Sequence, residues 1–249
     1  YSGKPYICAE SAVFRRNMPN YPAPQAYHRF AWWSYFQDEG EYNVQNCPSD
    51  RWERVKQEQN IEVKDWHNPG DAILVVLQRP GDSSLKNLLK KHGTYDAFLA
   101  HTLTEIRKNT DRKIIVRLHP ARVDKQMEII NRCSIANFEI SRNNAGAGLL
   151  NGGDGLYQDF KKAWAVVGFN TNALTESVCE GIPTFSLCSS SMAWSVSNKS
   201  LDRLENPQTF ERSQWLNNLA YCQWNTDEIS QGLPWQQLKS LYPNKLINP

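Results

Sequence analysis

The sequence predicts an α/β fold, a doubly wound parallel sheet preceded by an irregular N-terminal segment from a second lobe. Three stretches carry that expectation. Residues 71–85 read DAILVVLQRPGDSSL, residues 111–120 read DRKIIVRLHP, and residues 163–185 read AWAVVGFNTNALTESVCEGIPTF. Each opens on a short apolar run rich in Val or Ile and stops at a polar turn, and a helical pattern follows the first and third. Parallel strands feed helices in this way. Ligands of such sheets sit outside the carboxyl ends of the strands. The polar residues 78–84, 117–120 and 170–172 should therefore face one crevice.

Taken in order, residues 1–70 differ from the rest. KPYICA at 4–9 suits a strand that ends at Glu10, and SAVFRR follows. The Pro- and aromatic-rich stretch at 20–43 shows no clean period and reads as irregular structure pinned by aromatic packing. The segment after Pro48 suits a short helix capped by Ser49 or Asp50. IEVKDW at 61–66 suits a strand that stops at the Asn68-Pro69-Gly70 turn. Residues 1–70 are accordingly expected to be the remnant of, or bridge to, a second lobe, and residues 71–249 the sheet domain. There the pattern predicts strands at 72–77, 113–118, 137–141, 164–168 and 182–187. It predicts helices at 84–91, 95–109, 125–132, 158–162, 173–180 and 225–232. Gly181 supplies a left-handed helix stop.

Composition narrows the function. The chain has 249 residues and a net charge of +2, which argues against a protein held to nucleic acid by bulk charge. No run approaches the ~20 apolar residues of a membrane span, and no apolar leader is visible. The first residue is Tyr1 rather than Met, so the expectation is a trimmed product lacking an upstream segment. The six cysteines are scattered without a CxxC pair, which favours reduced thiols in a cytoplasmic protein over a zinc site or a disulfide scaffold.

Several residues are placed to carry chemistry. Asn170, Thr171 and Asn172 precede a helical pattern; a helix start attracts phosphate, although plain capping explains the same residues. Arg117 and His119 flank a strand end, where a guanidinium fork and an imidazole can hold phosphate oxygens. Gln78, Arg79 and Ser83 occupy a strand-to-helix turn, and capping accounts for Asp82 as well as catalysis does. Glu10 ends the first strand beside Arg15 and Arg16 and is a candidate general base. The Gly/Asn-rich loop at 143–155 lacks the Gly-Lys-Ser/Thr ending of a phosphate loop. The sequence has no Asp-x-Asp pair to hold a metal on a diphosphate, and Ser189–Ser191 lacks a nucleophile-elbow context.

Together these segments resemble the bacterial capsule polysaccharide biosynthesis family, which includes Kdo transferases. LQRPGDS at 77–83 is similar to its LQ-x-PGD turn, VRLHP at 116–120 to its K/R-x-HP strand end, and Asn170–Glu176 with Gly181-Ile182-Pro183 to its NS/T…EA…G-x-P segment. ESAVFR at 10–15 resembles its EDGF-x-R segment, with Ser11 in place of the acidic residue and Ala12 in place of Gly. The similarity covers roughly residues 71–235. It implies a GT-B glycosyltransferase whose Rossmann-like half binds a CMP- or UDP-linked sugar, with residues 1–70 from the acceptor lobe. It further implies that His119 and the Asn170–Asn172 helix start hold the donor phosphate, with Glu176 in the same segment. Glu10 is then the expected catalytic carboxylate and Asp82 its competitor, and neither metal nor resident cofactor is expected. The acceptor is expected to be a surface glycan. Two alternatives stand beside this. One is a bacteriophage-encoded enzyme that glycosylates hydroxymethylated pyrimidines in duplex DNA, with Lys86, Lys90, Lys91, Arg107, Lys108, Arg112 and Lys113 as a basic face. The other is a catalytically silent nucleotide- or sugar-binding module.

Overall fold

The computed structural model describes residues 4–14, 27–133, 137–144 and 152–241. Arg15, Arg16 and positions 145–151 of the Gly/Asn-rich loop lie outside them. In chain order the elements are β1 (Ile7–Ser11), β2 (Tyr27–Trp32), α1 (Asp50–Glu58), β3 (Ala72–Val76), α2 (Lys86–His92), α3 (Tyr95–Asn109), β4 (Ile114–Arg117) and α4 (Val123–Arg132). They continue with β5 (Glu139–Ile140), α5 (Gly152–Phe160), β6 (Ala163–Gly168), α6 (Ala173–Cys179), β7 (Thr184–Ser186), α7 (Ser213–Tyr221), β8 (Gln223–Asn225), α8 (Thr226–Ser230) and α9 (Leu233–Leu241). The chain forms two compact units, Tyr1–Glu62 with Glu211–Pro249, and Val63–Phe210.

The first unit holds a three-stranded antiparallel sheet in the order β1-β2-β8. Two expectations change here. The aromatic stretch contains a regular strand, β2, and the residues after 210 pair with that strand rather than extending the parallel sheet. β2 was hidden because its inward positions are Tyr27, Arg29 and Ala31, and an inward arginine breaks the apolar alternation that marks a strand. Helix α1 is fixed to β8 by Arg51, which is 8% exposed. Its guanidinium donates to the Glu228 carboxylate at 2.7 Å and to the Gln223 carbonyl at 2.7 Å, and lies 4.0 Å from the Trp224 ring centroid. Glu228 also closes a capping box with Asn225. Burial pushes the Glu228 carboxyl up, but Arg51, the Asn225 amide and Arg54 together hold it below the usual range.

The second unit is the doubly wound sheet. Its strands are all parallel, in the order β5-β4-β3-β6-β7. One face carries Ile73, Val75, Ile114, Val116, Ala165 and Val167 and packs on Leu88 of α2, on Phe98, Leu99, Leu103 and Ile106 of α3, and on Ile129 and Ile130 of α4. Burying each of these large side chains contributes about 1.5–3 kcal/mol. The opposite face meets α5 and α6. There Leu174 lies against Gly168, where an added Cβ would stand 3.0 Å from Leu174 Cδ2, and the Ser177 and Thr184 hydroxyls share a hydrogen bond of 2.7 Å. Successive strand residues point to opposite faces, so the two-sided burial explains why these strands read as continuous apolar runs. No helix among the described residues is long and apolar enough to cross a membrane.

The strand expected at 61–66 does not form. Within the second unit the backbone there docks on the end of α6 instead of a sheet edge. The Lys64 amide donates to the Cys179 carbonyl at 2.8 Å, the His67 amide to the Gly181 carbonyl at 2.7 Å, and Lys64 Nζ reaches Glu180 at 2.6 Å. The unpaired carbonyls of a helix end supply these acceptors. Gly181 makes the approach possible. Its φ is +73°, and a Cβ would stand 2.1 Å from the Asp65 carbonyl oxygen. Gly181→Ala should therefore lower stability by about 2–5 kcal/mol, combining left-handed strain with a backbone clash. Urea denaturation measures this, and a loss under about 0.5 kcal/mol, no more than an ordinary surface substitution costs, would contradict the docking.

Candidate functional site

The carboxyl ends of β4, β3 and β6 lie side by side. Val76 pairs with Arg117 on one side and with Gly168 on the other. Two residues further along each strand stand His119, Gln78 and Asn170, which the shared register brings to one level. β3 and β6 are neighbours whose connections leave in opposite directions, β3 toward β4 and β6 toward β7. This reversal is the point at which a doubly wound sheet opens a crevice.

Gln78 closes the junction. It is 8% exposed, and its Nε2 donates to Ser84 Oγ at 2.9 Å and to Asn170 Oδ1. Its Oε1 accepts the Asn170 amide at 3.1 Å, and Asn170 Nδ2 donates to the Ser84 carbonyl at 3.0 Å. The buried Tyr95 hydroxyl accepts the Gln78 amide at 3.1 Å and donates to its carbonyl at 2.9 Å. Burial pushes the Tyr95 phenol up, which keeps it a neutral donor. The carboxamides of Gln78 and Asn170 are thus committed to joining two strands and the following turn.

The turn after Gln78 follows from its sequence. Arg79-Pro80-Gly81-Asp82 closes with the Asp82 amide on the Arg79 carbonyl at 3.2 Å, and Gly81 has φ +80°. Pro and Gly hold the second and third positions that a type II turn demands. Asp82 Oδ1 accepts the Ser84 amide at 2.9 Å and caps the 3-10 turn Ser83–Leu85. Arg79, Asp82 and Ser83 are exposed.

His119 and Arg117 differ sharply. Gln126, fully buried, accepts the His119 amide at 2.8 Å and donates to the carbonyls of His119, Ala121 and Arg122 at 2.8, 3.1 and 3.2 Å. This clamp shapes the turn, and His119 Nδ1 accepts the Ala121 amide at 3.0 Å. The proton of the neutral ring is therefore on Nε2, which makes that nitrogen a donor. Arg117, by contrast, points under α5. It is 5% exposed and its Nη1 meets Asp159 Oδ2 at 2.6 Å. Asp159 also accepts the Ser141 hydroxyl and Asn143 Nδ2, each at 2.6 Å. The guanidinium offered by the sequence as a phosphate ligand is thus held inside the fold.

The remaining residues are distributed more widely. Thr171 Oγ1 accepts the Ala173 amide at 3.4 Å at the start of α6, whereas Asn172 occupies the cap position without a side-chain cap bond. Glu176 is half-buried on α6. Glu10 belongs to the first unit, where its Oε1 accepts the Ser11 amide at 2.7 Å and the Ser11 hydroxyl at 2.9 Å. The sequence reading missed Tyr95, Gln126 and Asp159. One of them left a signal: Asp159 follows Leu156 by three residues and precedes Phe160, which puts a carboxylate on the buried stripe of an amphipathic helix.

These features can be set beside known proteins. The fold is shared. Two solved Kdo transferases from Thermosulfurimonas dismutans are similar in structure. The KpsC β-Kdo 2,4 transferase matches with a TM-score of 0.54 at 13% identity, covering 92% of this chain and 79% of that one. The KpsC β-Kdo 2,7 transferase matches with a TM-score of 0.52 at 13% identity, covering 94% and 78%. No family model matches the chain, and no curated protein does. Four residues of the basic face in the DNA alternative are engaged locally. Lys108 pairs with Glu105 at 2.7 Å, Arg112 with Glu205 at 2.9 Å and Lys113 with Glu139 at 2.8 Å, while Arg107 donates to three carbonyls.

The Arg117–Asp159 geometry makes a stability prediction. Arg117→Met strands a buried carboxylate and should cost about 3–5 kcal/mol, whereas Arg117→Met with Asp159→Leu should recover a large part of that loss. Chemical denaturation of the single and double variants decides it; a double variant no more stable than the single would contradict the pairing.

Proposed function

We propose that the chain is a GT-B glycosyltransferase that moves a sugar from a nucleotide-sugar donor to a hydroxyl acceptor on a surface-type glycan. The observation that carries this reading is the level row of His119, Gln78 and Asn170 at the reversal between β3 and β6, in a fold shared with Kdo transferases. The donor is a CMP- or UDP-linked sugar, bound to the unit Val63–Phe210. His119 donates Nε2–H to the donor phosphate. Arg79, Ser83, Thr171, Asn172 and Glu176 border the same strand ends and supply further donor contacts, with Gln78 and Asn170 positioning the turn. Arg117 supports the site from below through Asp159 rather than touching phosphate. A cytoplasmic place fits six scattered cysteines without a CxxC pair.

Loss of the sugar leaves negative charge on the departing phosphate. The donors of His119 and the amides at the start of α6 stabilise that charge, and no Asp-x-Asp pair is present in the sequence to add a metal. We assign the carboxylate that assists the acceptor hydroxyl to Glu10, in the segment that resembles the family's acidic motif; Asp82, occupied as a cap, is the competitor.

Two outcomes check this. His119→Ala should fold normally and weaken nucleotide binding by about one to two decades, the loss of a charge-assisted contact of roughly 1.5–3 kcal/mol. Calorimetry with CMP and UDP reads it, and unchanged affinity would make His119 a turn residue only. Turnover of a nucleotide sugar should survive excess chelator and fall at least tenfold in Glu10→Gln. Full activity in Glu10→Gln with loss in Asp82→Asn would move the role to Asp82, and loss of wild-type activity to chelator would remove the metal-free mechanism.

A further inference from the structure

The sheet of the first unit holds a second polar group that the donor site does not use. Glu10 lies opposite Arg29, and Arg29 lies opposite Gln223, so the three form one row across β1, β2 and β8. Directly opposed residues of antiparallel strands carry their side chains on the same face. Arg29 is 9% exposed and Gln223 is 0% exposed. Gln223 Oε1 accepts the Val13 amide at 3.1 Å, which fixes the orientation of the carboxamide and identifies Nε2 as the remaining donor. That Nε2 and Arg29 Nε are both buried without an acceptor among the described residues.

No carboxylate forms an ion pair with Arg29 among the described residues. Glu10 makes no ion pair with it, and its Oε1 is taken by the Ser11 amide and hydroxyl. Segments 1–3, 15–26, 134–136, 145–151 and 242–249 contain no Asp or Glu. The buried Tyr42 donates its hydroxyl to the Tyr35 carbonyl at 2.6 Å. Its phenol is pushed up first by burial, while the Arg29 charge pulls it down and the Glu10 charge, among others, pushes it up. A guanidinium keeps its charge inside a protein, and a buried charge without a partner is among the most destabilising features a fold can carry. Two unmet donors in adjacent positions of one row, one of them cationic, share a single remedy: an oxyanion.

We propose that Arg29 and Gln223 form a binding site for a small oxyanion, a carboxylate or phosphate group, on the inner face of the β1-β2-β8 sheet. The guanidinium fork takes two oxygens of the group, and Gln223 Nε2 adds a neutral donor to one of them. The site lies in the unit Tyr1–Glu62 with Glu211–Pro249 and is separate from the residues assigned to the donor.

Thermal melting of the full chain tests it, with inorganic phosphate, glucuronate and neutral glucose at constant ionic strength. A group that binds only the folded state raises the midpoint with the logarithm of its concentration once above its dissociation constant. Phosphate or glucuronate should raise the midpoint and glucose should not; which anion acts tells a phosphate site from a sugar-acid site. The rise should persist in His119→Ala, which lacks the proposed phosphate donor of the other unit, and vanish when Arg29→Met is added to His119→Ala. No rise with either anion, an equal rise with glucose, or a rise retained in that double variant would overturn the site. Should that double variant not fold, Arg29→Lys in the same His119→Ala background keeps the charge but loses the fork. Its half-saturating anion concentration should then be at least tenfold higher, and an unchanged value would equally overturn the proposal.

Discussion

The junction of β3 with β6 is the constraint on which the rest of the second unit depends. The two strands are hydrogen-bonded along their length, yet the chain leaves them in opposite directions. Their ends therefore expose backbone groups that neither following helix can satisfy, and a buried polar group without a partner costs about 1–3 kcal/mol. The Gln78 carboxamide resolves this by accepting the Asn170 amide and donating to Asn170 and Ser84, while Tyr95 bridges the Gln78 backbone. Networks of this kind hold one geometry when every member is satisfied. The result is a rigid floor beneath the crevice.

A second consequence of the sheet is the division of labour along β4. Ile114, Val116 and Leu118 face the layer of α2, α3 and α4, so Arg117 turns to the other side and meets Asp159 of α5. His119 has left the strand, and Gln126 sets its turn. Two basic residues separated by one position thus serve different ends. Arg117 anchors α5 beneath the strand ends, and His119 presents a ring donor. Gly155 permits the close fit on α5, since a Cβ there would stand 2.6 Å from the Asn143 carbonyl oxygen and 3.3 Å from Arg117 Nη2.

Much of the second unit was legible because strands buried on both faces read as unbroken Val and Ile runs and because α3 repeats its apolar residues at helical spacing. The positions of Gln78, His119 and Asn170 followed from where those runs stop. Other features were opaque for identifiable reasons. β2 carries an arginine on its inner face, so its alternation fails. The short β8 holds three residues and draws its place from pairing with β2, a contact distant in sequence. The 61–66 segment has strand-like residues but finds its acceptors on a helix end. The commitment of Arg117 required knowing that α5 lies over β4, and only the stray carboxylate Asp159 hinted at it.

The central claim is that a nucleotide sits over the reversal between β3 and β6, held by His119 and the start of α6. Amide and imidazole resonances of the full chain, followed by NMR as CMP or UDP is added, test it most directly. The account predicts shifts at His119, Ala121 and residues 170–173, with Gly70, Lys113 and Lys162 at the opposite end of the same strands unmoved. Shifts confined to that opposite end, or none at saturating nucleotide, would contradict it.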